Sequence, residues 1–189
     1  MMSVMTMTLV SGVTVVRSQW AVWMCGGVCV PLCKSHPASS LSYYLQDSGA
    51  KLVLVTPDLH PTVSDLVGVK MLVVEDEEDT HTNTIIDDDL VTPEASSAAM
   101  ILYTSGTTGP PKGVILSHTN LHNQVTCLLE AWQWTSRDKI LHVLPLHHTH
   151  GIVNCLMCPL TVGATVHMLP SFCPQTVWNI LIQVMFTNI

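Results

Sequence analysis

Charge is what this sequence has least of. Only 11% of its 189 residues are Asp, Glu, Lys or Arg, and just seven are basic, scattered without clustering. Without a basic patch there is no electrostatic footprint for a nucleic acid partner. After Lys139 there is no Lys, Arg, Asp or Glu at all. A globular domain normally exposes charge on every element, so this last third is expected to be covered by more of the same polypeptide. Its apolar stretch is interrupted by Asn154, Pro159, Thr161 and Gly163, short of the about 20 predominantly apolar residues that a spanning helix needs; no transmembrane segment is expected. The opening stretch Met1–Val16 lacks the basic start and small-residue cleavage site of a secretory leader and the Arg-rich pattern of a transit peptide. There is no internal repeat and no low-complexity tract.

What is abundant is apolar material. Hydrophobic residues make up 48% of the chain, against a net charge of -7. That excludes a disordered chain and suits one domain with a buried α/β interior. The acidic residues gather at Glu75–Asp79 and Asp87–Asp89, inside a polar, unpatterned stretch (75–94) expected to be a surface loop. The seven cysteines are odd in number and mostly set among apolar residues, the pattern of reduced thiols serving as small hydrophobes.

Strand-like and helical segments alternate. Short apolar runs at 28–32, 51–55, 69–74, 98–104, 113–116, 139–144 and 164–169 read as strands. Helices are expected at 18–24 with Trp20 and Trp23 on one side, from a Ser39 or Ser40 cap to Asp47, weakly at 58–66, at 118–132 with Leu121, Val125, Leu128 and Leu129 on one face, at 151–160, and after Pro174. Buried strands alternating with helices predict an α/β fold: a mostly parallel sheet flanked by helices.

The most informative stretch is Tyr103-Thr-Ser-Gly-Thr-Thr-Gly-Pro-Pro-Lys-Gly113, directly after a strand. Gly106 and Gly109 let the backbone approach an anion and turn its N–H groups toward it. Thr104, Ser105, Thr107 and Thr108 offer hydroxyl donors, and Lys112 a mobile positive charge. Together they would wrap a polyphosphate. Pro111 and Gly113 flank the lysine where a Walker A loop needs Gly and Ser or Thr, and the glycine spacing is not that of a dinucleotide fold.

From Thr104 to Lys112 without a gap, including Pro110 and Pro111, this order resembles the signature of the adenylate-forming, or AMP-binding, superfamily: acyl-CoA synthetases, luciferases and peptide-synthetase adenylation domains. The resemblance extends to Gln19–Leu32, where a helix ends in Gly-Gly and a strand in Pro, and to Leu144-Pro-Leu-His-His-Thr-His-Gly151. It is strongest toward the mitochondrial malonyl-CoA synthetases, over about Gln19 to Trp178. It implies that loop 104–112 holds the β- and γ-phosphates of ATP, that His148 borders the reacting carboxylate, that His150 lies in the acid-binding block, and that the enzyme uses ATP, Mg²⁺ and CoA on a small carboxylic acid, malonate or methylmalonate. It also implies a mitochondrial location. Some malonate-specific relatives carry Arg just before the glycine matching Gly163, where this sequence has Val162.

Residues 1–17 fall outside the resemblance and are left unassigned; 18–189 read as part of the larger N-terminal domain. The family's later elements for adenine, ribose, Mg²⁺ and the adenylation lysine have no counterpart here. The chain is therefore expected to be an N-terminal fragment, inactive and poorly soluble by itself. A non-catalytic fragment and a medium-chain acyl-CoA synthetase are the alternatives. His142, His147, His148 and His150 followed by Cys155-x-x-Cys158 suggest zinc, but one C-x-x-C inside an apolar helix, without a second pair, does not make a zinc site; no metal site is assigned.

Overall fold

The computed structural model describes residues 5–10, 12–64, 66, 68–75, 90–105 and 109–183. Where the sequence pattern gives one partial domain, the chain divides into two compact units, Met1–His118 and Thr119–Ile189.

The first unit is a six-stranded sheet. Its strands are β1 (Met5–Leu9), β2 (Val28–Pro31), β3 (Leu52–Val55), β4 (Lys70–Val73), β5 (Ala98–Thr104) and β6 (Lys112–Ser117), in the spatial order β4-β3-β1-β2-β5-β6. All pairs are parallel except β5–β6. The expected α/β architecture is therefore present. The segment 1–17, left unassigned above, supplies β1, which lies between β2 and β3, and the opening of α1 (Thr14–Met24). Thr6 and Thr8 of β1 are buried although polar, which is why the segment did not read as a core strand.

The sheet holds because β2 and β3, on either side of β1, are apolar on both faces. Every residue of β2 is buried, as parallel strands require. Val28, Val30, Val53 and Val55 pack with Leu41, Tyr44 and Leu45 of α2 (Ala38–Ser48) and with Val63 of α3 (His60–Val63). Leu41 is completely buried. The helix α2 starts one residue before the expected serine caps, because the extended Pro37 occupies the capping position and no side chain caps the turn. It stops as expected at Gly49, whose φ of 65° is left-handed and suits glycine. In α1 the buried face is Thr14, Val15, Ser18, Gln19 and Val22; Trp20 is exposed, and Trp23 reaches in to donate its indole N–H to the Ala99 carbonyl at 2.7 Å. The core stripe of α1 is largely polar, which misleads a search for apolar periodicity.

The second unit is a βαβ arrangement. Strands β7 (Lys139–His142) and β8 (Thr165–Met168) pair in parallel. Between them run a π-helical segment, His150–Met157, and the short α5 (Cys158–Thr161); the helix expected over 151–160 is there, with most of it wound wider than an α-helix. Ile140, Leu141, Ile152, Val153, Leu156 and Cys158 are buried. The helix α4 (His118–Trp132) precedes β7 and α6 (Pro174–Gln183) follows β8. Of the expected α4 face, Leu121 and Val125 are buried and Leu128 and Leu129 half-buried. No helix among the described residues is long and apolar enough to cross a membrane. All seven cysteines are free; Cys29, Cys155 and Cys158 are buried, while Cys25 and Cys127 are exposed. Burial pushes the thiols up, to about 12 for Cys29 and about 11 for Cys158, so these are protonated, apolar groups rather than thiolates. The acidic positions 76–89 lie outside the described residues.

Candidate functional site

The Ser/Thr/Gly loop is the tip of a β-hairpin. β5 and β6 are antiparallel, and the register pairs Tyr103 with Gly113 and Thr104 with Lys112. Lys112 is thus the first residue of β6 and closes the loop against Thr104, whose hydroxyl points to the Lys112 carbonyl at 3.4 Å. The loop leaves the carboxyl end of β5, the edge at which open α/β sheets receive ligands. Thr104, Ser105, Gly109, Pro110 and Lys112 are exposed and Pro111 is half-buried. Gly106, Thr107 and Thr108 lie outside the described residues.

Both limbs of this hairpin are held by α2. Tyr103 is buried and its hydroxyl donates to Asp47 Oδ2 at 2.7 Å. Burial, and next the hydrogen bond to the Asp47 carboxylate, raise the Tyr103 phenol well above its ordinary value, so it stays a donor. Its ring packs against that of Tyr44, tilted by 43° with centroids 4.4 Å apart. Across the hairpin, a Cβ on Gly113 would meet Ile101 Cγ2 at 2.9 Å and the Tyr103 ring at 3.3 Å; glycine lets the ring lie there. On the other limb, Tyr43 donates its hydroxyl to the Pro111 carbonyl at 2.7 Å. Sequence reasoning missed Tyr43, Tyr44 and Asp47, because nothing local ties α2 to a loop some 60 residues further on.

In the second unit, the block 144–151 is a tight turn closed on itself. The His148 amide donates to the Pro145 carbonyl at 3.3 Å, and the Ile152 amide to the His148 carbonyl at 3.0 Å. The buried His142, at the end of β7, places Nε2 at 2.9 Å from the Gly151 carbonyl. A carbonyl only accepts, so Nε2 carries the proton. The turn presents His148, Thr149 and His150 exposed, with the half-buried His147 ring 4.1 Å from that of His148. The π-helical start at His150 is a rare winding that recurs at functional sites.

Burial lowers the pKa of His142 despite the Gly151 hydrogen bond. The unfolded chain therefore takes up the proton first. Stability is complete above about pH 6.5, the ordinary histidine value, and declines as pH falls below it. The half-buried His118, packed edge-on to Trp23, shifts the same way. The melting temperature should accordingly drop between pH 7 and pH 5.5, and the drop should shrink in His142→Gln. An unchanged pH slope in that variant would remove His142 as a contributor.

The sequence and the fold have known relatives. The chain is 50% identical over 168 residues to the mitochondrial malonate–CoA ligase of Xenopus laevis, covering 85% of this chain and 29% of that protein. Its structure superposes on ATP-bound MatB from Rhodopseudomonas palustris with a TM-score of 0.81 at 26% identity, covering 97% of this chain and 38% of that one. It also superposes on a malonyl-CoA ligase with methylmalonyl-CoA and AMP bound, with a TM-score of 0.75 at 28% identity, over 94% of this chain and 37% of the other. The chain thus spans under a third of the Xenopus ligase. The family described as AMP-binding enzyme matches residues 6–187, taking in β1, the hairpin loop and the His-Gly turn together, and this chain belongs to that family.

Proposed function

We propose that this chain supplies the pyrophosphate-gripping part of an AMP-forming acid–thiol ligase that acts on a small dicarboxylic acid, malonate first and methylmalonate second. The observation that carries the reading is the hydroxyl- and glycine-rich hairpin tip at the carboxyl end of β5, closed by Lys112. In the reaction, a carboxylate oxygen attacks the α-phosphorus of ATP. The bond to the β-phosphate bridging oxygen breaks, leaving acyl-AMP and pyrophosphate. The CoA thiol then attacks the acyl carbon, and AMP leaves. There is little covalent work for the protein; positioning and charge stabilisation dominate. Thr104, Ser105, Thr107 and Thr108 would donate to the β- and γ-phosphate oxygens, with the backbone at Gly106 and Gly109 drawn close. Lys112 would offset the charge of the departing pyrophosphate. Pro110 and Pro111 stiffen the return limb. Loop 104–112 holds no carboxylate, so it offers Mg²⁺ no anionic ligand.

His148 would border the reacting acid, with His150 beside it. Malonate keeps a second carboxylate, costly to bury without a cation or several donors. No Lys or Arg follows Lys139, and the half-buried Val162 stands before Gly163. The exposed His148 and His150 are the ring donors that the turn presents, with the Thr149 hydroxyl between them. The name of the Xenopus relative supports a mitochondrial location. The test is a panel of malonate, methylmalonate, acetate, octanoate and palmitate offered to the full-length protein. Malonate should be preferred, and His150→Phe should lower malonate turnover more than acetate turnover. A preference for octanoate or palmitate at equal concentration would sink the dicarboxylate reading and leave the adenylate-forming one standing.

A further inference from the structure

We propose that Tyr43 is a positioning residue for the phosphate loop, setting the direction in which Lys112 leaves the backbone. The inference rests on the reading of loop 104–112 as the ATP site and adds a residue from outside the loop. The geometry is specific. The Tyr43 hydroxyl donates to the carbonyl of Pro111 at 2.7 Å. That carbonyl and the amide of Lys112 belong to one planar peptide unit. Holding the oxygen restrains the plane, and with it the direction of the amide and the position of the Lys112 Cα from which the side chain leaves. The plane can otherwise turn through ψ of Pro111 and φ of Lys112, and the hydrogen bond from Tyr43 opposes that turn.

The same helix holds the opposite limb. Asp47 follows Tyr43 by four residues in α2, so the two share one helix face. Asp47 accepts from Tyr103, the residue before Thr104. One rigid surface therefore sets both ends of the loop, at Tyr103 and at Pro111. The rings support it: Tyr43 meets Tyr44 edge-on at 5.7 Å and Tyr103 at 6.3 Å, so the phenol is aimed by packing before its hydrogen bond forms.

Tyr43→Phe keeps the ring and removes only the hydroxyl. In the full-length protein, the expected result is an ATP KM raised about three- to tenfold, the scale of one lost hydrogen bond. The acid KM should match wild type, and the melting temperature should fall by no more than about 2–6 °C, the loss of one hydrogen bond. Lys112→Ala measured alongside separates the two levels of the argument. If Lys112→Ala impairs ATP use and Tyr43→Phe does not, the positioning role is wrong and the phosphate-loop reading stands. If Tyr43→Phe lowers the melting temperature beyond that range and changes both KM values alike, Tyr43 is a packing residue and the proposal fails. If Lys112→Ala leaves the ATP KM and the exchange of pyrophosphate into ATP unchanged, the loop reading falls and takes the role of Tyr43 with it.

Discussion

Lys112→Ala in the full-length protein should lower kcat/KM for ATP by about tenfold to a hundredfold, with folding unchanged. The magnitude follows from losing one charged contact to phosphate, about 1.5–3 kcal/mol, at about 1.4 kcal/mol per factor of ten. The fold should not notice, because Lys112 is exposed at the start of β6 and pairs through its backbone with Thr104. Alanine keeps that backbone. The measurement is acid-dependent exchange of labelled pyrophosphate into ATP, with a thermal melt alongside. Lys112→Arg should recover part of the loss, since charge is retained while the fork geometry differs. An exchange rate equal to wild type in the alanine variant would take Lys112 out of the site.

Gly151→Ala should be among the most damaging single-methyl changes in the second unit. A Cβ there would overlap the Pro145 carbonyl oxygen and stand 2.9 Å from its carbon. Both are backbone atoms of the same closed turn and cannot swing aside as a side chain would. The turn must open, and the His142 hydrogen bond to the Gly151 carbonyl goes with it. Overpacking typically costs about 1–3 kcal/mol; with a buried histidine also left unpaired, about 3 kcal/mol or more is expected. In a chain of this size that lowers the melting temperature by roughly 6–12 °C. Gly109→Ala is the contrast, because among the described residues no atom lies within 4 Å of a Cβ built there, and it should stay within about 0.5 kcal/mol of wild type. Equal stability of the two variants would show that the turn is softer than its contacts imply.

Much of this was legible in the sequence, for physical reasons that differ by element. β5 and α4 have the bounds their patterns gave, because a continuous apolar strand meets a Gly-rich break and a 3.6-residue stripe meets its first and last turns cleanly. The loop was legible because polyphosphate chemistry demands unusual residues in close order. β1 was not, because Thr6 and Thr8 break the apolar run and their burial depends on strands drawn from elsewhere. Nor was the buried face of α1, where Thr14, Ser18 and Gln19 occupy core positions. The bracing of the loop by Tyr43 and Asp47 was invisible for a related reason: a tyrosine on an amphipathic helix reads as packing until the distant partner of its hydroxyl is known. The left-handed close of α2 at Gly49 was read correctly, and its start was not, since the pattern favoured a serine cap where proline does the work.

The hairpin bears on the order in which this site assembles. β5 and β6 are neighbours in sequence and need only a short loop to meet, an event of microseconds. The parallel pairs cannot form that way: Thr6 must find Leu52, and Cys29 must find Met100. Closing such distances is entropically slow, and rate falls as contacts become less local. A complete chain folding from the denatured state would therefore hold a formed phosphate hairpin before the sheet is complete. It would lack the brace of α2 until Tyr43 and Asp47 arrive with β2 and β3. The hairpin can exist early; its alignment for ATP comes only with the finished sheet.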